Sequence, residues 1–397
     1  MQGLFQKSIC FAKNRKALSP EISVVIPCLN EARTIGICVE KARKALDAEG
    51  LAGEVIVADN GSSDGSEAMA EAAGARVVRV EESGYGSAIR GGVMASAGSF
   101  IIVGDGDDSY NFLEINPFIG QWKAGKEFVM GNRFAGGIEP DAMPFLHRYL
   151  GNPVLSFIGR LFFRNGFGDF HCGMRGFTRQ AFDAMKLSTG GMEFASEMVV
   201  KATLLRLKTA EVPVRLYRDG RGRPPHLNTW TDGWRHLRFL LLFSPRWLFF
   251  YPGLILIFLG LLFSSILLRS VLPFQNLKLD VHTLLYSSAI LLAGVQLISF
   301  YLLSQAFARR EGLLIRSGLG LGWFRLERGL FVALCLLIAG LYLSFSALQI
   351  WKSLHFGPLN PQVVLRKVIP AVTCILMAFQ VLTFSFFMSF LQLKKMP

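Results

Sequence analysis

The sequence predicts an α/β domain built on a mostly parallel sheet, followed by an all-α transmembrane domain of four helices. Three observations support this fold class. The 397 residues are 51% hydrophobic and only 18% charged, and the charges are concentrated in the first 243 residues. Within that part, short apolar strands alternate with helical stretches. After it, four long windows carry no formal charge.

The strand pattern of the first part indicates β-α-β units. Apolar strands are predicted at Ile22–Pro27, Glu54–Ala58, Arg76–Val80 and Phe100–Gly104. Helical stretches lie between them, the first capped by Asn30. This order implies a mostly parallel sheet with helices on both faces. Ligands bind at the carboxyl ends of the strands in such sheets, so functional residues are expected directly after strands.

The second part reads as membrane spans. Formal charge is absent from windows that include residues 247–268, 281–305, 329–351 and 368–393. About 20 apolar residues suffice for a helix to cross the hydrocarbon core, so each window predicts a transmembrane helix. Very hydrophobic buried helices of a soluble protein are the alternative, which a series of four windows disfavours. The predicted domains are 1–225, an interfacial helix 226–243, and the transmembrane domain 244–397.

An amphipathic helix is predicted just before the first span. Trp230, Trp234, Leu237 and Leu241 fall on one stripe of it. Such a helix lies on a bilayer surface with its apolar face buried. A helix packed in the core of the first domain is the alternative. The flexible basic segment Gly220–Pro225 precedes it.

Charge predicts the compartment and the class of partner. No secretory signal opens the chain, because Lys7, Lys13, Arg15 and Lys16 interrupt any apolar run. The loop between the second and third spans is rich in arginine, so both termini and the first domain are expected in the cytosol. A net charge of +13 suits anionic headgroups and phosphates. No nucleic-acid module is visible, and a homo-oligomer is left open.

Two acidic motifs follow predicted strands. Asp59 and Asn60 follow the second strand, where a carboxylate can accept hydrogen bonds from a nucleoside, although an ordinary turn has the same sequence. Asp105, Asp107 and Asp108 follow the fourth strand. Their mutual repulsion favours a divalent cation that carries a diphosphate, Mg²⁺ or Mn²⁺, over a solvated acidic turn.

A glycine-rich segment, Ser83–Gly92, lies between the two acidic motifs. It is similar to a phosphate-cradling loop, but it lacks the G-x-G-x-x-G spacing and follows the third strand, which argues against dinucleotide binding. Within it, Gly84 and Gly86 are candidate nucleotide-binding residues. Arg90 either approaches a nucleotide phosphate or is a surface residue.

In combination, these motifs resemble glycosyltransferase family 2. The resemblance covers about residues 22–243 and is strongest to the polyprenyl-phosphate sugar transferases, which include dolichol-phosphate mannose synthases. The matched motifs are Pro27-Cys28-Leu29-Asn30-Glu31, Asp59-Asn60-Gly61-Ser62, Asp105-Gly106-Asp107, Gly131-Asn132-Arg133-Phe134 and Asp169-Phe170-His171-Cys172-Gly173-Met174-Arg175. It implies a Rossmann-like GT-A nucleotide-diphospho-sugar transferase fold.

The resemblance also implies a reaction. A hexose would pass, with inversion, from a nucleotide sugar of the UDP-glucose or GDP-mannose type to a polyprenyl phosphate, undecaprenyl or dolichyl. A bacterial inner membrane and an envelope glycan are expected. The metal ligands would be Asp105, Asp107 and Ser109, which stands where the family has Gln. Asp108 or a water is the alternative third ligand.

The remaining site residues form four groups. The implied nucleotide-binding residues are Pro27, Asn30, Glu31, Asp59, Asn60, Gly84, Gly86 and Arg90. The implied catalytic residues are Asp105, Asp107, Arg133 and Arg175, and the acceptor phosphate would meet Arg133, Arg148, Asn152 and Arg175. Arg218, Arg221 and Arg223 would close over the diphosphate, or be surface or snorkelling charges. Glu197 would orient an arginine or a sugar hydroxyl.

Two other functions fit parts of the pattern. A processive polysaccharide synthase carries a Q-x-x-R-W element before its spans. Here Arg246-Trp247 is present, but Phe243 occupies the Gln position, and all spans follow the catalytic domain. A non-catalytic scaffold or flippase partner is the other alternative. The retained aspartates and arginines disfavour it.

Overall fold

The computed structural model of the chain describes residues 20–222, 229–269, 271–274, 277–310 and 325–393. Arg223 of the predicted diphosphate loop and residues 226–228 of the predicted interfacial helix lie outside these ranges. The chain divides into two units, Met1–Phe243 and Ser244–Pro397.

The first unit is built on a sheet whose order is β3-β2-β1-β4-β6-β5-β7. Within the described residues its seven strands are β1 (Ile22–Cys28), β2 (Gly53–Asp59), β3 (Arg76–Arg79), β4 (Phe100–Val103), β5 (Phe128–Asn132), β6 (Arg175–Thr178) and β7 (Thr209–Pro213). Only β6 runs antiparallel to its neighbours, β4 and β5. The predicted mostly parallel α/β sheet is therefore confirmed.

Helices of the first unit lie between these strands in the chain, except for α9, which follows the last strand. They are α1 (Ile35–Ala48), α2 (Ser66–Ala72), α3 (Tyr85–Ala95), α4 (Asn116–Lys123), α5 (Arg133–Gly136), α6 (Asn152–Phe163), α7 (Arg179–Met185), α8 (Phe194–Leu204) and α9 (Thr229–Leu242). A 3₁₀ turn spans Phe112–Glu114, and a π-helical turn, His147–Gly151, leads directly into α6.

The start of α1 differs from the prediction. Thr34 is the N-cap, and Asn30 lies four residues earlier with a φ of 58°, in the left-handed region. Asn tolerates this conformation better than most residues. Its side-chain oxygen accepts a hydrogen bond from the Ser63 N–H at 2.8 Å. Asn30 therefore joins the β1 and β2 loops and does not cap the helix.

The core of the first unit lies on both faces of the central strands. In β1, Ile22, Val24, Val25 and Ile26 are fully buried. β-branched side chains favour extended backbone, and strands covered by helices on both faces read as continuous apolar runs. This explains why the apolar run alone predicts β1.

Strand directions bring the functional segments to one sheet edge. Cys28 and Asp59, the last residues of β1 and β2, are register partners. Val103, the last residue of β4, is opposite Arg175, the first residue of the antiparallel β6. Since β5 and β7 are parallel to each other, the segments after both strands emerge together. The loops after β1, β2, β4, β5 and β7 therefore start from the same edge as Arg175.

α9 packs against α6 and α8 of its own unit. Phe239 and Leu240 are buried in the core of that unit. Trp230 and Trp234 are 78% and 58% exposed, respectively. The helix therefore has a core-packing face and leaves the two tryptophans outside it.

The second unit is helical. Its elements are α10 (Tyr251–Leu267), β8 (Leu272–Phe274), β9 (Leu277–Leu279), α11 (Val281–Arg310), α12 (Leu326–Ser353) and α13 (Pro361–Gln392). Among the described residues, four helices are long and apolar enough to cross a membrane: Arg246–Leu267, Val281–Arg310, Leu326–Ser353 and Pro361–Gln392. They contain most of each predicted span and confirm the four-helix expectation. The short β8–β9 hairpin was not predicted.

Close helix packing in the second unit depends on glycine. A Cβ on Gly260 of α10 would lie 2.7 Å from the Cβ of Leu291 on α11. A Cβ on Gly294 of α11 would lie 2.7 Å from the Ile257 nitrogen. Small residues allow backbones to approach closely where lipid removes the hydrophobic force between helices.

Candidate functional site

The two aspartates after β4 form the centre of the site. Asp105 Oδ1 accepts a hydrogen bond from the Tyr85 hydroxyl at 2.9 Å. Burial raises the pKa of Asp105 to about 6, and the neighbouring charge of Asp107 acts in the same direction. Asp107 is 5% exposed. The sheet edge therefore holds two adjacent carboxylates in a desolvated place, where a cation is favoured.

Ser109 is a hydrogen-bond donor to Asp107 in this structure. Its N–H and its hydroxyl both donate to Asp107 Oδ1, at 3.0 and 2.5 Å. Asp108, the alternative ligand, has a φ of 62°. Its carboxylate forms an ion pair with Lys41 of α1 at 2.7 Å. The predicted role of Ser109 as a third ligand stays a prediction, and the observed contact orients the second aspartate.

Arg221 contacts the other oxygen of Asp107. Its guanidinium pairs with Asp107 Oδ2 and lies 3.5 Å from Glu31 Oε1. The Gly220 N–H donates to the Asp107 carbonyl oxygen at 2.9 Å, which holds the backbone of this loop against the acidic turn. Arg221, one of the three arginines predicted to close over the diphosphate, thus lies beside the two aspartates.

The donor set fits a divalent metal ion. Asp105 and Asp107 offer hard oxygen ligands, and the Arg221 guanidinium occupies Asp107 as a stand-in cation. In the part of the chain that the structure describes, no group of three or more His, Cys, Asp or Glu is arranged for a metal. Mg²⁺ is commonly held by one or two carboxylates, with water and substrate phosphate in the other positions. Two aspartates therefore suffice on the protein side.

A cleft of about 260 Å³ opens beside these residues, and it is lined by Asn30, Glu31, Ala32, Arg33, Asp64, Arg221 and Gly222. At the end of β2, Asp59 Oδ2 accepts hydrogen bonds from the Gly61 and Ser62 N–H groups, both at 2.9 Å. Asp59 Oδ1 is buried and has no hydrogen-bond partner among the described residues. A buried acceptor without a donor favours a ligand that supplies one. Pro27, the second-to-last residue of strand β1, pairs in register with Ala58; its predicted contact with the nucleotide stays a prediction.

The glycine-rich segment is bonded within the protein. The Gly84 N–H donates to Asn60 Oδ1 at 2.7 Å. The Gly86 N–H donates to the Gly190 carbonyl at 2.8 Å. Arg90 pairs with Glu82. The N–H groups of Gly84 and Gly86 thus donate to other parts of the protein in this structure and not to a phosphate site. Nucleotide binding by Gly84, Gly86 and Arg90 stays a prediction.

Arg133, after β5, forms a buried two-point ion pair. Its Nε and Nη2 lie 2.6 and 2.8 Å from the two carboxylate oxygens of Asp169. Asp169 is fully buried. Burial raises the pKa of Asp169, but the charge and hydrogen bonds of Arg133 outweigh this and hold the pKa below its usual value. The pair joins the two motifs that the sequence matched separately.

Arg175 is also bonded within the protein. Its Nε donates to the Cys172 carbonyl at 2.9 Å, and its Nη1 donates to the Ala195 carbonyl at 2.8 Å. The side chain is 2% exposed. It contributes a fixed positive charge that lowers the pKa of Asp105. Arg133 and Arg175 are thus both at the predicted edge, as anchored cations.

The other residues predicted to meet a phosphate, Arg148, Asn152 and Arg218, lie in more exposed surroundings. The Arg148 guanidinium lies 5.5 Å from the centre of the Tyr149 ring. Asn152, at the start of α6, donates to the Met143 sulfur at 3.4 Å. Arg218 lies 3.7 Å from Asp141, and both side chains are mostly exposed. No described contact joins these three to the aspartates, so their roles stay predictions.

Glu197, the predicted sugar contact, is fully buried in α8. Its carboxylate accepts from the Thr189 N–H at 2.9 Å and the Thr189 hydroxyl at 2.6 Å. It also pairs with Lys201 at 2.7 Å. Burial raises the pKa of Glu197, but these donors outweigh burial and lower it. In this structure Glu197 fixes the loop before α8.

Sequence reasoning missed a histidine pair. The Ser196 hydroxyl lies 2.9 Å from His236 Nδ1 and 3.4 Å from His171 Nε2. Burial lowers the pKa of His171 well below its usual value, and nearby His236, Arg133 and Arg175 lower it further. His171 stands inside a matched motif, which is the signal that would have singled it out; His236 had none. Tyr85 was also missed.

Two family models match the chain. "Glycosyl transferase family 2" matches residues 23–185. "Glycosyltransferase family 2 C-terminal transmembrane region" matches residues 302–392. The first match contains the two aspartates after β4, and the second falls in the helical unit.

The chain is also similar to curated and solved proteins. The low-salt glycan biosynthesis hexosyltransferase Agl6 of Haloferax volcanii is 37% identical over 285 residues, 71% of this chain and 68% of that protein. The dolichyl-phosphate hexose transferase of the same organism is 28% identical, over 51% of this chain and 85% of that protein. A structure of glucosyl-3-phosphoglycerate synthase from Mycobacterium tuberculosis with Mn²⁺, UDP and glucosyl-3-phosphoglycerate has a TM-score of 0.44 at 22% identity, covering 56% of this chain and 78% of that chain.

Proposed function

The chain belongs to glycosyltransferase family 2 as a hexosyltransferase with a C-terminal transmembrane region, and we propose that it moves a hexose from a nucleotide diphosphate sugar to a polyprenyl phosphate. One observation carries this proposal. Asp105 and Asp107 share a sheet edge with anchored arginines, in a chain whose described residues also include four helices of membrane-spanning length. The product is a polyprenyl-phosphate sugar.

The donor binds on the β1–β2 side of the edge. Asp59 Oδ1, buried and without a partner among the described residues, accepts a hydrogen bond from the nucleoside. Asn30 and Glu31 line the adjoining cleft. The diphosphate approaches Asp105 and Asp107, and Arg221 changes partner from Asp107 to the diphosphate. Mg²⁺ or Mn²⁺, when bound by the two aspartates, neutralises charge on the leaving group.

The acceptor needs no side-chain base. A phosphate monoester has a second pKa of about 6, so a polyprenyl phosphate is largely dianionic at neutral pH. One phosphate oxygen attacks the anomeric carbon, the bond from that carbon to the diphosphate breaks, and the nucleoside diphosphate leaves with the electron pair. Arg148 and Asn152 meet the acceptor phosphate. Arg133 and Arg175 supply fixed positive charge where two anions must approach.

Surface chemistry of the first unit supports an acceptor that is a lipid. Trp230 and Trp234 of α9 are exposed. Along α6 and the π-helical turn before it, large apolar side chains recur at helical spacing and are exposed: Leu146, Leu150, Val154, Phe157 and Leu161. Exposed apolar faces of this kind indicate contact with another apolar phase. We propose that α9 and this face lie on the bilayer.

The protein is an integral membrane protein, and the orientation is part of the proposal. We propose that the five arginines between residues 309 and 328 face the cytosol, because cytoplasmic loops carry an excess of basic residues. With the four spans of the described residues, this orientation would put both termini and the transferase domain in the cytosol, where nucleotide sugars would reach the cleft.

A donor screen tests the proposal. Membranes that contain the chain are incubated with polyprenyl phosphate and labelled UDP-glucose, GDP-mannose or related donors. We expect one donor to give a labelled lipid and Asp107→Asn to abolish it. Label in a polymer, or none in lipid with any donor, would contradict the proposal. Unchanged turnover in Asp107→Asn would contradict the role of the aspartate in metal binding.

A further inference from the structure

Tyr85 is joined to the first of the two metal-binding aspartates. It is the first residue of α3, and its hydroxyl donates to Asp105 Oδ1 at 2.9 Å. A phenol keeps its proton at neutral pH and is therefore a donor to the carboxylate. The charge of Asp107, two residues later, repels that of Asp105, whereas the charges of Arg221 and Arg175 attract it. The hydrogen bond from Tyr85 fixes which oxygen of Asp105 faces α3.

The position of Tyr85 is fixed by the loop before α8. The Gly190 carbonyl oxygen accepts from the N–H groups of Gly86 and Ser87, at 2.8 and 3.2 Å, and so caps the first turn of α3. Gly84, which precedes Tyr85, has a φ of +129°, and a Cβ there would overlap the Gly190 carbonyl oxygen. Glycine at this position permits the close approach of the loop.

The same loop is held by Glu197. The carboxylate accepts two hydrogen bonds from Thr189, at 2.9 and 2.6 Å, and two from the Ser188 N–H, both at 3.1 Å. Lys201 balances its charge at 2.7 Å. A fully buried carboxylate with this many donors is a rigid anchor. Hydrogen bonds and adjacent backbone thus connect Glu197, Gly190, Tyr85 and Asp105 without a break.

From this connection we infer that Tyr85 and Glu197 are positioning residues for the metal site: Tyr85 orients the Asp105 carboxylate, and Glu197 holds Tyr85 in place through the loop before α8. The inference rests on the proposed function, because it assigns the two residues to the proposed metal site at Asp105 and Asp107. Neither residue touches the reacting atoms in this role. Their effect is on metal affinity.

The first test is Mn²⁺ binding to the full-length chain in detergent, measured by electron paramagnetic resonance. Tyr85→Phe removes only the hydroxyl, and we expect about tenfold weaker Mn²⁺ binding because a hydrogen bond to a charged group is lost. The KM for Mn²⁺ should rise in parallel, with kcat at saturating Mn²⁺ nearly unchanged. The matched control is Tyr217→Phe, which loses a hydroxyl bond to Glu114 of 3.1 Å and should bind Mn²⁺ like the wild type.

The second test asks whether Glu197 acts through Tyr85. Glu197→Gln should weaken Mn²⁺ binding, and the double variant with Tyr85→Phe should be no weaker than Tyr85→Phe alone, because both changes break one path. Where Glu197→Gln does not fold, Thr189→Val removes one donor and leaves the carboxylate in place. Additive effects would overturn the path from Glu197 through Tyr85.

The outcomes separate the inference from the function on which it rests. If wild type binds Mn²⁺ and Tyr85→Phe binds it equally well, the inference fails and the proposed metal site stands. If wild type binds no Mn²⁺, the metal site of the proposed function fails, and the inference fails with it. If lipid glycosylation is absent while Mn²⁺ binding responds to Tyr85→Phe as expected, only the proposed reaction fails.

Discussion

The Arg221 guanidinium contacts the Asp107 carboxylate from a position 114 residues further along the chain. It also lies 3.5 Å from Glu31. A positive charge from the chain itself therefore neutralises the second aspartate of the acidic turn. A divalent ion and the Arg221 guanidinium would therefore compete for the same carboxylate.

Replacement of Arg221 by Gln should strengthen Mn²⁺ binding in the absence of donor by about three- to tenfold, because a charged competitor for Asp107 is lost. The KM for the nucleotide sugar should rise, since the same guanidinium is proposed to hold the diphosphate. Electron paramagnetic resonance and donor titration measure the two effects. Arg76→Gln is the control, because Arg76 forms a comparable ion pair with Glu54 at the amino end of β3, opposite the end where the site lies. Weaker Mn²⁺ binding in Arg221→Gln would contradict the competition.

Ser109→Ala should weaken Mn²⁺ binding by about fivefold, since Asp107 loses a hydroxyl donor worth about 1 kcal/mol. The observed bond of 2.5 Å orients Asp107, so the effect is expected whether or not Ser109 is itself a ligand. Calorimetric titration of the full chain measures it. Ser99→Ala, which removes an exposed hydroxyl bonded to the Glu21 carbonyl, should change nothing. Equal binding by Ser109→Ala and wild type would refute the orienting role.

Arg133→Met should destabilise the protein by about 3–5 kcal/mol, because it leaves a buried charge on Asp169 uncompensated. Chemical unfolding of the full chain in detergent measures the change. Arg215→Met breaks a more exposed pair with Glu139 and should cost at most about 1 kcal/mol. A stability of Arg133→Met close to that of wild type would show that the pair contributes little, and would return Arg133 to a direct role with substrate.

Stability should fall as the pH decreases below about 6.5, the ordinary pKa of histidine. Burial and nearby His236, Arg133, Arg175 and His147 lower the pKa of His171 in the folded protein. The unfolded chain therefore binds a proton that the folded chain does not, so unfolding is favoured as pH falls from the unfolded towards the folded pKa. Thermal unfolding between pH 7 and 5 should show a smaller decrease in His171→Phe. An identical decrease in both proteins would exclude His171 as the cause.

The parts of the fold that were predicted correctly are those that a short stretch of sequence determines by itself. Strand β1 and the four spans could be predicted without knowledge of the tertiary structure. A strand covered on both faces, or a helix surrounded by lipid, has a continuous apolar sequence. Three strands, β5, β6 and β7, were not predicted. β6 is only four residues long and contains Arg175 and a glycine, so its strand character comes from pairing with β4 and β5.

The candidate site also has one part that the sequence predicted and one part that it did not. Asp105 and Asp107 were predicted because a short motif after a strand carries them. Their partners were not: the sequence contains Tyr85 and places Arg221 in a basic loop, but the contacts with the aspartates arise only when distant segments meet at the sheet edge. Glu197 was predicted to orient an arginine or a sugar hydroxyl, and that role stays a prediction. Its buried contacts with the loop before α8 depend on packing that no local pattern reveals.

The most direct test is the mass of the lipid product. The detergent-purified chain, Mg²⁺ or Mn²⁺, a single defined polyprenyl phosphate and the preferred nucleotide sugar are incubated, and the lipid is analysed by mass spectrometry. We predict a polyprenyl phosphate heavier by one hexose residue, formed in equal amount with the nucleoside diphosphate. A lipid that carries several hexoses, a free polymer, or nucleoside diphosphate released without any change in the lipid would contradict the proposed transfer.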